Sequence, residues 1–265
     1  MDDSLTFATQ LARETGQLLL GYFNSNHLHT HRKEDHSLVT DADIAADQLI
    51  KEAIQKRYPD DWILSEELHP SYVRQKPLAG KQVGVWIIDP LDGTTNFSLG
   101  LHYWGILIAR IMVGQPQMAV MYFPLLDELY TAQRGQGAYL NASHIQVEPP
   151  DPTRPWTFFS CCSRTHRRYH ISIPYKTRIL GSAGYSLCAV ARGTALISFE
   201  ATPKIWDLAA GWLLINEAGG IIETIDQSQP FPLKTDVDYS RQSYPTLASA
   251  TPELAARARL QILPK

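Results

Sequence analysis

Apolar and polar positions along the chain change period several times, and each change marks an element. Phe7, Ala8, Leu11, Ala12, Thr15, Leu18, Leu19 and Tyr22 recur at helical spacing opposite Arg13, Glu14 and Gln17, so residues 5–23 predict an amphipathic helix. The polar, histidine-rich stretch from Asn24 to Asp35 reads as a loop. Val39-Thr40-Asp41-Ala42-Asp43 supplies capping residues for a second helix, lined by Ala46, Leu49, Ile50, Ala53 and Ile54 and ending near Tyr58-Pro59. Trp62-Ile63-Leu64 predicts a short strand running into Ser65-Glu66-Glu67, and Val83 to Ile88 a buried strand ending at Asp89-Pro90. From Ile106 to Asn141, β segments broken at Gly114-Gln115-Pro116, Pro124 and Arg134-Gly135-Gln136-Gly137 read as an antiparallel meander. Pro149-Pro150-Asp151-Pro152 divides the chain into an N-terminal α+β half, residues 1–148, and a C-terminal half, residues 149–265. Beyond that boundary strands and helices alternate through residues 156–223, an α/β pattern.

Composition narrows the function classes. The 265 residues allow one large domain or two intimately packed ones, and 44% hydrophobic residues with 19% charged give a substantial core. Lys+Arg 24 against Asp+Glu 27, a net charge of -3, leaves no global positive field for nucleic acid or an anionic membrane. The acidic start Met1-Asp2-Asp3 and the lack of any run near ~18 apolar residues predict no signal peptide and no membrane helix, hence a cytoplasmic protein. Cys161, Cys162 and Cys188 form no CxxC pair and read as reduced, structural thiols.

Asp89 and Asp92 are the candidate chemistry. Two acids at the exit of a buried strand bring like charges together, and oxygen ligands without nearby His or Cys suit a hard ion, Mg²⁺ or Mn²⁺. The other reading is ordinary Asp-Pro and Asp-Gly turn chemistry. Gly93-Thr94-Thr95-Asn96-Phe97 shifts the balance, because a glycine followed by capping residues opens a helix whose free N–H groups bind phosphate. Metal and amides then hold one phosphoryl group from two sides.

The run from Trp86 to Phe97, WIIDPLDGTTNF, resembles the first signature of the inositol monophosphatase family. Trp206-Asp207-Leu208-Ala209-Ala210-Gly211, continuing to Glu217-Ala218-Gly219-Gly220, is similar to its second. Ser65-Glu66-Glu67 and Val39-Thr40-Asp41-Ala42-Asp43 match two shorter elements, so the likeness runs from the first helix to about residue 225. The resemblance implies an α+β sugar-phosphatase fold of alternating layers, α/β/α/β/α, around an acidic cleft. It also implies two or three Mg²⁺ ions, with Mn²⁺ as a substitute. Glu66, Asp89 and the Leu91 carbonyl would hold the first; Asp89, Asp92 and Asp207 the second; Glu66 would also face a third. Leu91 stands where isoleucine is usual.

The implied chemistry is hydrolysis by a metal-activated water. Asp43 and Thr94 would orient and deprotonate it with Glu66 beside them, Gly93 and Thr94 would bind phosphate through their amides, and Glu200 and the Gly181-Ser182-Ala183 backbone would meet substrate hydroxyls. Plainer readings stand beside these: Asp207 as a helix cap, Asp43 (or Asp41) as a first-turn acid complementing the helix dipole, and Glu200 as a strand-end acid reaching solvent. His27, His29, His31 and His36 lack a fixed metal-ligand spacing. Arg164, His166, Arg167, Arg168 and His170 form a basic cluster, read either as a solvated loop or as a specificity element for a second phosphate. Lys204 is open to substrate phosphate or to a neighbouring acid. Trp104, Trp156 and Trp212 read as core or dimer contacts.

The expected activity is a Mg²⁺-dependent phosphomonoesterase acting on inositol 1-phosphate or a similar polyol phosphate. Alternatives on the same fold are fructose-1,6-bisphosphatase, histidinol-phosphate phosphatase and 3′-phosphoadenosine 5′-phosphate phosphatase. The resemblance further suggests lithium inhibition and a homodimer, with no nucleic-acid or membrane partner. A regulatory protein touching the transcription machinery is the non-enzymatic alternative, and it would have been free to lose Glu66, Asp92 or Asp207.

Overall fold

The computed structural model describes residues 3–25, 30–32, 38–67, 83–153, 157–234 and 237–265. Its elements are α1 (Ser4–Phe23), β1 (Thr30–Arg32), β2 (Leu38–Thr40), α2 (Asp41–Arg57), β3 (Trp62–Ser65), β4 (Val85–Asp92), α3 (Thr94–Ser98), β5 (Gly105–Met112), β6 (Gln115–Phe123), β7 (Glu128–Gln133), β8 (Ala138–Leu140) and β9 (Ser143–Ile145). The second half contributes β10 (Phe158–Cys161), α4 (Thr165–Arg168), β11 (Tyr169–Ile171), β12 (Lys176–Arg178), α5 (Ala183–Ala191), β13 (Ala195–Glu200), α6 (Ile205–Glu217), β14 (Ile221–Thr224), β15 (Thr246–Ser249), α7 (Pro252–Gln261) and β16 (Ile262–Pro264).

Strands β3 to β9 form a seven-stranded sheet in sequence order, parallel between β3 and β4 and antiparallel thereafter. The period of two decides which face each side chain takes. Trp86, Ile88, Ile106, Ile108 and Val120 join a core with Ala8, Leu11, Ile50 and Ile54 of α1 and α2. Val85, Ile87, Leu107, Ala109 and Met121 join another core with Leu187 of α5 and Leu208 and Leu214 of α6. That second core also takes in Ala195 and Ala248 of a five-stranded sheet ordered β12-β10-β13-β15-β14. The opposite face of the five-stranded sheet packs Phe159, Phe199 and Leu247 against Leu254, Ala255 and Ala258 of α7. The result is α1/α2, sheet, α5/α6, sheet, α7: the five expected layers.

Several local expectations need correction. β4 does not stop before Asp89 but continues to Asp92, because the register slips between Asp89 and Asp92 and a bulge accommodates Pro90 without a ladder N–H. Part of the expected loop 24–35 pairs as β1 with β2. Strands and helices do alternate from β10 to β14, with β10 parallel to β12 and β13, while β15, beyond that stretch, joins antiparallel to both β13 and β14 and makes the sheet mixed. His27, His29, His36 and Trp156 lie outside the described residues. Trp104 is fully buried, and Trp212 packs edge-on against Phe231 at 5.6 Å. No helix among the described residues is long and apolar enough to cross a membrane.

Candidate metal centre

Asp89 is 1% exposed at the end of β4; its Oδ1 accepts the Leu91 N–H at 3.1 Å, while its Oδ2 is buried with no hydrogen-bond donor. Glu66, just past β3, and Asp207, in the first turn of α6, face it, and one carboxylate oxygen from each of the three lies within 4.8 Å of the others. Burial raises the Asp89 pKa, and the charges of Glu66, Asp92 and Asp207 raise it further. Asp207 keeps some surface toward the cleft, yet burial, then Glu66 and Asp92, push it up to about 8. The Lys204 N–H, donating to Asp207 Oδ2 at 2.5 Å, opposes that rise only in part. Asp207 is thus a helix cap through one oxygen and a member of the acid cluster as well. A cation relieves the burial and mutual repulsion that raise Asp89 and Asp207, and an orphaned buried oxygen among oxygen-only donors fits Mg²⁺ or Mn²⁺.

The start of α5 holds Asp92. The Ser182 hydroxyl and the Gly184 N–H (2.9 Å) donate to Oδ2, and the Ala183 N–H to Oδ1 at 3.1 Å. Burial nevertheless pushes Asp92 up to about 6. The Ala183 amide is therefore turned toward Asp92, although the residue lines the adjacent cavity.

Asp43 completes a capping box with Thr40: its Oδ2 accepts the Thr40 N–H at 2.8 Å while Thr40 Oγ1 accepts the Asp43 N–H at 3.4 Å. Its Oδ1 lies 3.0 Å from Thr94 Oγ1, which is also 3.1 Å from the Leu91 carbonyl oxygen. Burial raises the Asp43 pKa, and the bonds from Thr40 and Thr94 moderate the shift. Asp43, and not only the dipole of α2, therefore reaches across the fold to the first turn of α3.

Gly93 precedes α3 with φ +87°, and a Cβ there would lie 2.7 Å from the Tyr103 carbonyl oxygen. Neither the backbone nor its neighbour gives way easily, so Gly93→Ala is expected to cost about 1–3 kcal/mol. Thermal unfolding checks this; a midpoint within about 1 °C of the parent would contradict it. Asn96 fixes the same turn from below, its Nδ2 donating to the carbonyls of Tyr103 (2.6 Å) and Leu180 (2.8 Å).

Beside the acids opens a cavity of about 230 Å³ lined by Cys162, Ser163, Arg164, Gly181, Ser182, Ala183, Glu200, Thr202, Pro203 and Asp207. Glu200 does not reach bulk solvent: it is 4% exposed, its pKa is raised by burial and then by Cys162, and a bond from Ser186 opposes the rise. Of the basic cluster only Arg164 lines the cavity, its Nη1 donating to Thr202 Oγ1 at 3.1 Å; His166 lies against Cys161. Lys204 Nζ donates to the Ser240 carbonyl at 2.9 Å, a backbone oxygen rather than a neighbouring acid. All three cysteines are free, but Cys162 lines the cavity.

A family model for the inositol monophosphatase family matches residues 1–259. The chain belongs to that family. Among the curated members it is 36% identical over 240 residues to the Nus factor SuhB of Pasteurella multocida, covering 84% of this chain and 85% of the relative. It is 34% identical over 233 residues to a histidinol-phosphatase of Chlorobaculum parvum, covering 83% and 85%. The Thermotoga maritima IMPase shares the fold with a TM-score of 0.78 and 26% identity, over 97% of this chain and 96% of that one.

The family signatures come together in space: Glu66, Asp89 and Asp207 bring carboxylate oxygens within 4.8 Å of one another, Asp92 is near enough to feel the Glu66 charge, Asp43 meets Thr94, and Glu200 lines one cavity with Asp207. What the sequence reading missed are the inositol monophosphatase fold's supports. Ser182 holds Asp92, Asn96 ties two loops, and Asp47 meets Ser65. Only Asp47 left a trace in the sequence, as an acid on the apolar side of a helix, four residues after Asp43.

Proposed function

We propose that this chain is a magnesium-dependent phosphomonoesterase that hydrolyses inositol 1-phosphate or a polyol phosphate of similar size. The observation that carries the reading is the buried, donor-free Asp89 Oδ2 within a cluster of acids whose charges need a cation. Glu66, Asp89 and the Leu91 carbonyl would hold one ion, and Asp89, Asp92 and Asp207 a second, with Glu66 open to a third. Divalent ions bound there neutralise charge on the phosphoryl and leaving oxygens and acidify water.

The chain's own groups supply alignment and proton handling. Thr94 Oγ1, its hydrogen directed to Asp43 Oδ1, keeps lone pairs for a water hydrogen and aims that water at phosphorus; Asp43, its pKa already raised, takes up the proton. The N–H groups of Gly93 and Thr94 hold phosphate oxygens. Glu200 and the backbone of residues 181–183 receive the hydroxyls of the leaving alcohol. The cavity of about 230 Å³ beside the acids gives the leaving alcohol a polar place to lie, bordered by Glu200, Ser182 and Arg164.

The same reading carries inhibition by lithium, a small hard cation suited to these oxygens. It also carries a homodimer through Leu99, Leu101 and Ile179, apolar side chains 69%, 50% and 52% exposed on the two loops that Asn96 ties together. Free thiols suit the reducing cytoplasm.

The likeness to a Nus factor and to a histidinol-phosphatase keeps two other outcomes in the test. Phosphate release is measured with and without Mg²⁺ on inositol 1-phosphate, histidinol phosphate, fructose 1,6-bisphosphate and 3′-phosphoadenosine 5′-phosphate. The expected result is Mg²⁺-dependent turnover highest on inositol 1-phosphate. A preference for another ester reassigns the substrate, and no turnover on any of them overturns the enzymatic reading in favour of a regulatory one.

A further inference from the structure

Two buried polar residues stand outside the chemistry above yet border it. Asp47 follows Asp43 by one turn of α2 and is 1% exposed; Ser65, the last residue of β3, is also 1% exposed. The Ser65 hydroxyl donates to Asp47 Oδ1. Ser65 directly precedes Glu66, so this contact fixes the backbone from which Glu66 reaches the acid cluster.

The support matters because of where β3 lies. It is a four-residue strand at the edge of the seven-stranded sheet, paired with β4 on one side. The ladder extends one residue further, with the Glu66 N–H donating to the Ile88 carbonyl at 3.2 Å. Beyond that point the Glu66 side chain must be aimed so that one carboxylate oxygen lies within 4.8 Å of oxygens of Asp89 and Asp207. A strand paired along one edge is restrained along a single line of hydrogen bonds, and a tie to a helix adds a second direction of restraint.

An apolar contact, such as Ile50 and Ile54 make from the same helix, would tie α2 to β3 without the desolvation that a buried carboxylate brings, so a directed polar contact beside Glu66 points to positioning. We propose that Asp47 and Ser65 form a latch holding Glu66 at the metal centre, which makes both of them positioning residues for cation binding. The proposal rests on the metal-centre reading above. It gives α2 two tasks, since Asp43 meets Thr94 Oγ1 at 3.0 Å while Asp47 holds the exit of β3. One rigid helix thereby sets the spacing between the water-orienting pair and a metal-binding carboxylate.

The test uses the full chain with Ser65→Ala and Asp47→Asn, and measures Mn²⁺ binding by calorimetry without substrate, alongside thermal unfolding in EDTA. Ser65→Ala removes one atom, and it is expected to weaken Mn²⁺ binding about tenfold, the low end for a group supporting a metal ligand. Its metal-free unfolding midpoint should fall by a few degrees, the cost of leaving a buried acceptor without its donor, while the protein stays fully folded at the temperature of the binding measurement. Asp47→Asn keeps an Oδ1 acceptor for the Ser65 hydrogen and should bind Mn²⁺ within about twofold of the parent. Parental affinity in Ser65→Ala overturns the latch, as does a loss in Asp47→Asn equal to that in Ser65→Ala. A parent that binds no Mn²⁺ overturns the metal-centre reading, and the latch with it.

Discussion

Replacing Asp89 by asparagine should abolish Mg²⁺-dependent phosphate release while leaving the protein folded at least as well as the parent. Asparagine has the same shape and keeps an Oδ1 acceptor for the Leu91 N–H. It removes the one charge that the proposed assignment shares between two ions, so turnover should fall on the order of 10³-fold or more. Stability should move the other way in EDTA. Asp89 is buried, and its ionised form is opposed by Glu66, Asp92 and Asp207, whereas a neutral amide donates to those carboxylates. The metal-free unfolding midpoint should therefore rise, and the gain on adding Mg²⁺ should shrink. Phosphate release and two melting curves per protein decide the matter. Turnover within tenfold of the parent would remove Asp89 from the metal centre.

This opposition between function and stability explains what the sequence made legible. The helices α1 and α2 follow from apolar positions at 3.6-residue spacing, and the meander β5 to β8 from alternation broken by Gly and Pro. Those signals are local. The extension of β4 past Pro90 was hidden because proline ordinarily ends a strand, and only pairing with β5 shows the bulge that tolerates it. β15 and α7 lie beyond the recognisable motifs, and neither has a pattern strong enough to predict it without the sheet and core it completes.

In the site, Asp89 and Asp92 announce themselves because they are three residues apart on an apolar strand. Asp43, Glu66, Glu200 and Asp207 are scattered over more than half of the chain, and resemblance alone brought them together. Ser182, Asn96 and Ser65 fall inside the motifs, but their supporting roles gave no signal, since a serine or asparagine that holds a carboxylate or a loop looks in sequence like any other. The basic cluster follows its plainer reading: all five side chains are exposed, and only Arg164 also borders the cavity.

Stability of the metal-free protein should fall as pH rises from about 5 to 8, and saturating Mg²⁺ should flatten or invert that slope. Asp207 is pushed from 3.8 up to about 8 and Asp92 from 3.8 up to about 6, each chiefly by burial. Between the unfolded and folded pKa values the native state keeps protons that the unfolded chain has already lost. Unfolding then releases protons, and the free energy of unfolding decreases with pH across that window. Asp89 and Glu200, also raised by burial, add in the same direction. A tenfold difference in proton affinity between the two states is worth about 1.4 kcal/mol, and ~1 kcal/mol moves the midpoint of a chain this size by ~2–4 °C. The midpoint in EDTA should thus drop on the order of 10 °C between pH 5.5 and 8. Bound Mg²⁺ favours the ionised carboxylates, so protons compete with it at the low end and its stabilisation should be greatest at pH 8. Thermal unfolding at four pH values, with EDTA or Mg²⁺, measures both slopes. A metal-free protein whose midpoint rises over this range would mean that these acids are ionised without cost, and the electrostatic case for a cation at the end of β4 would fail.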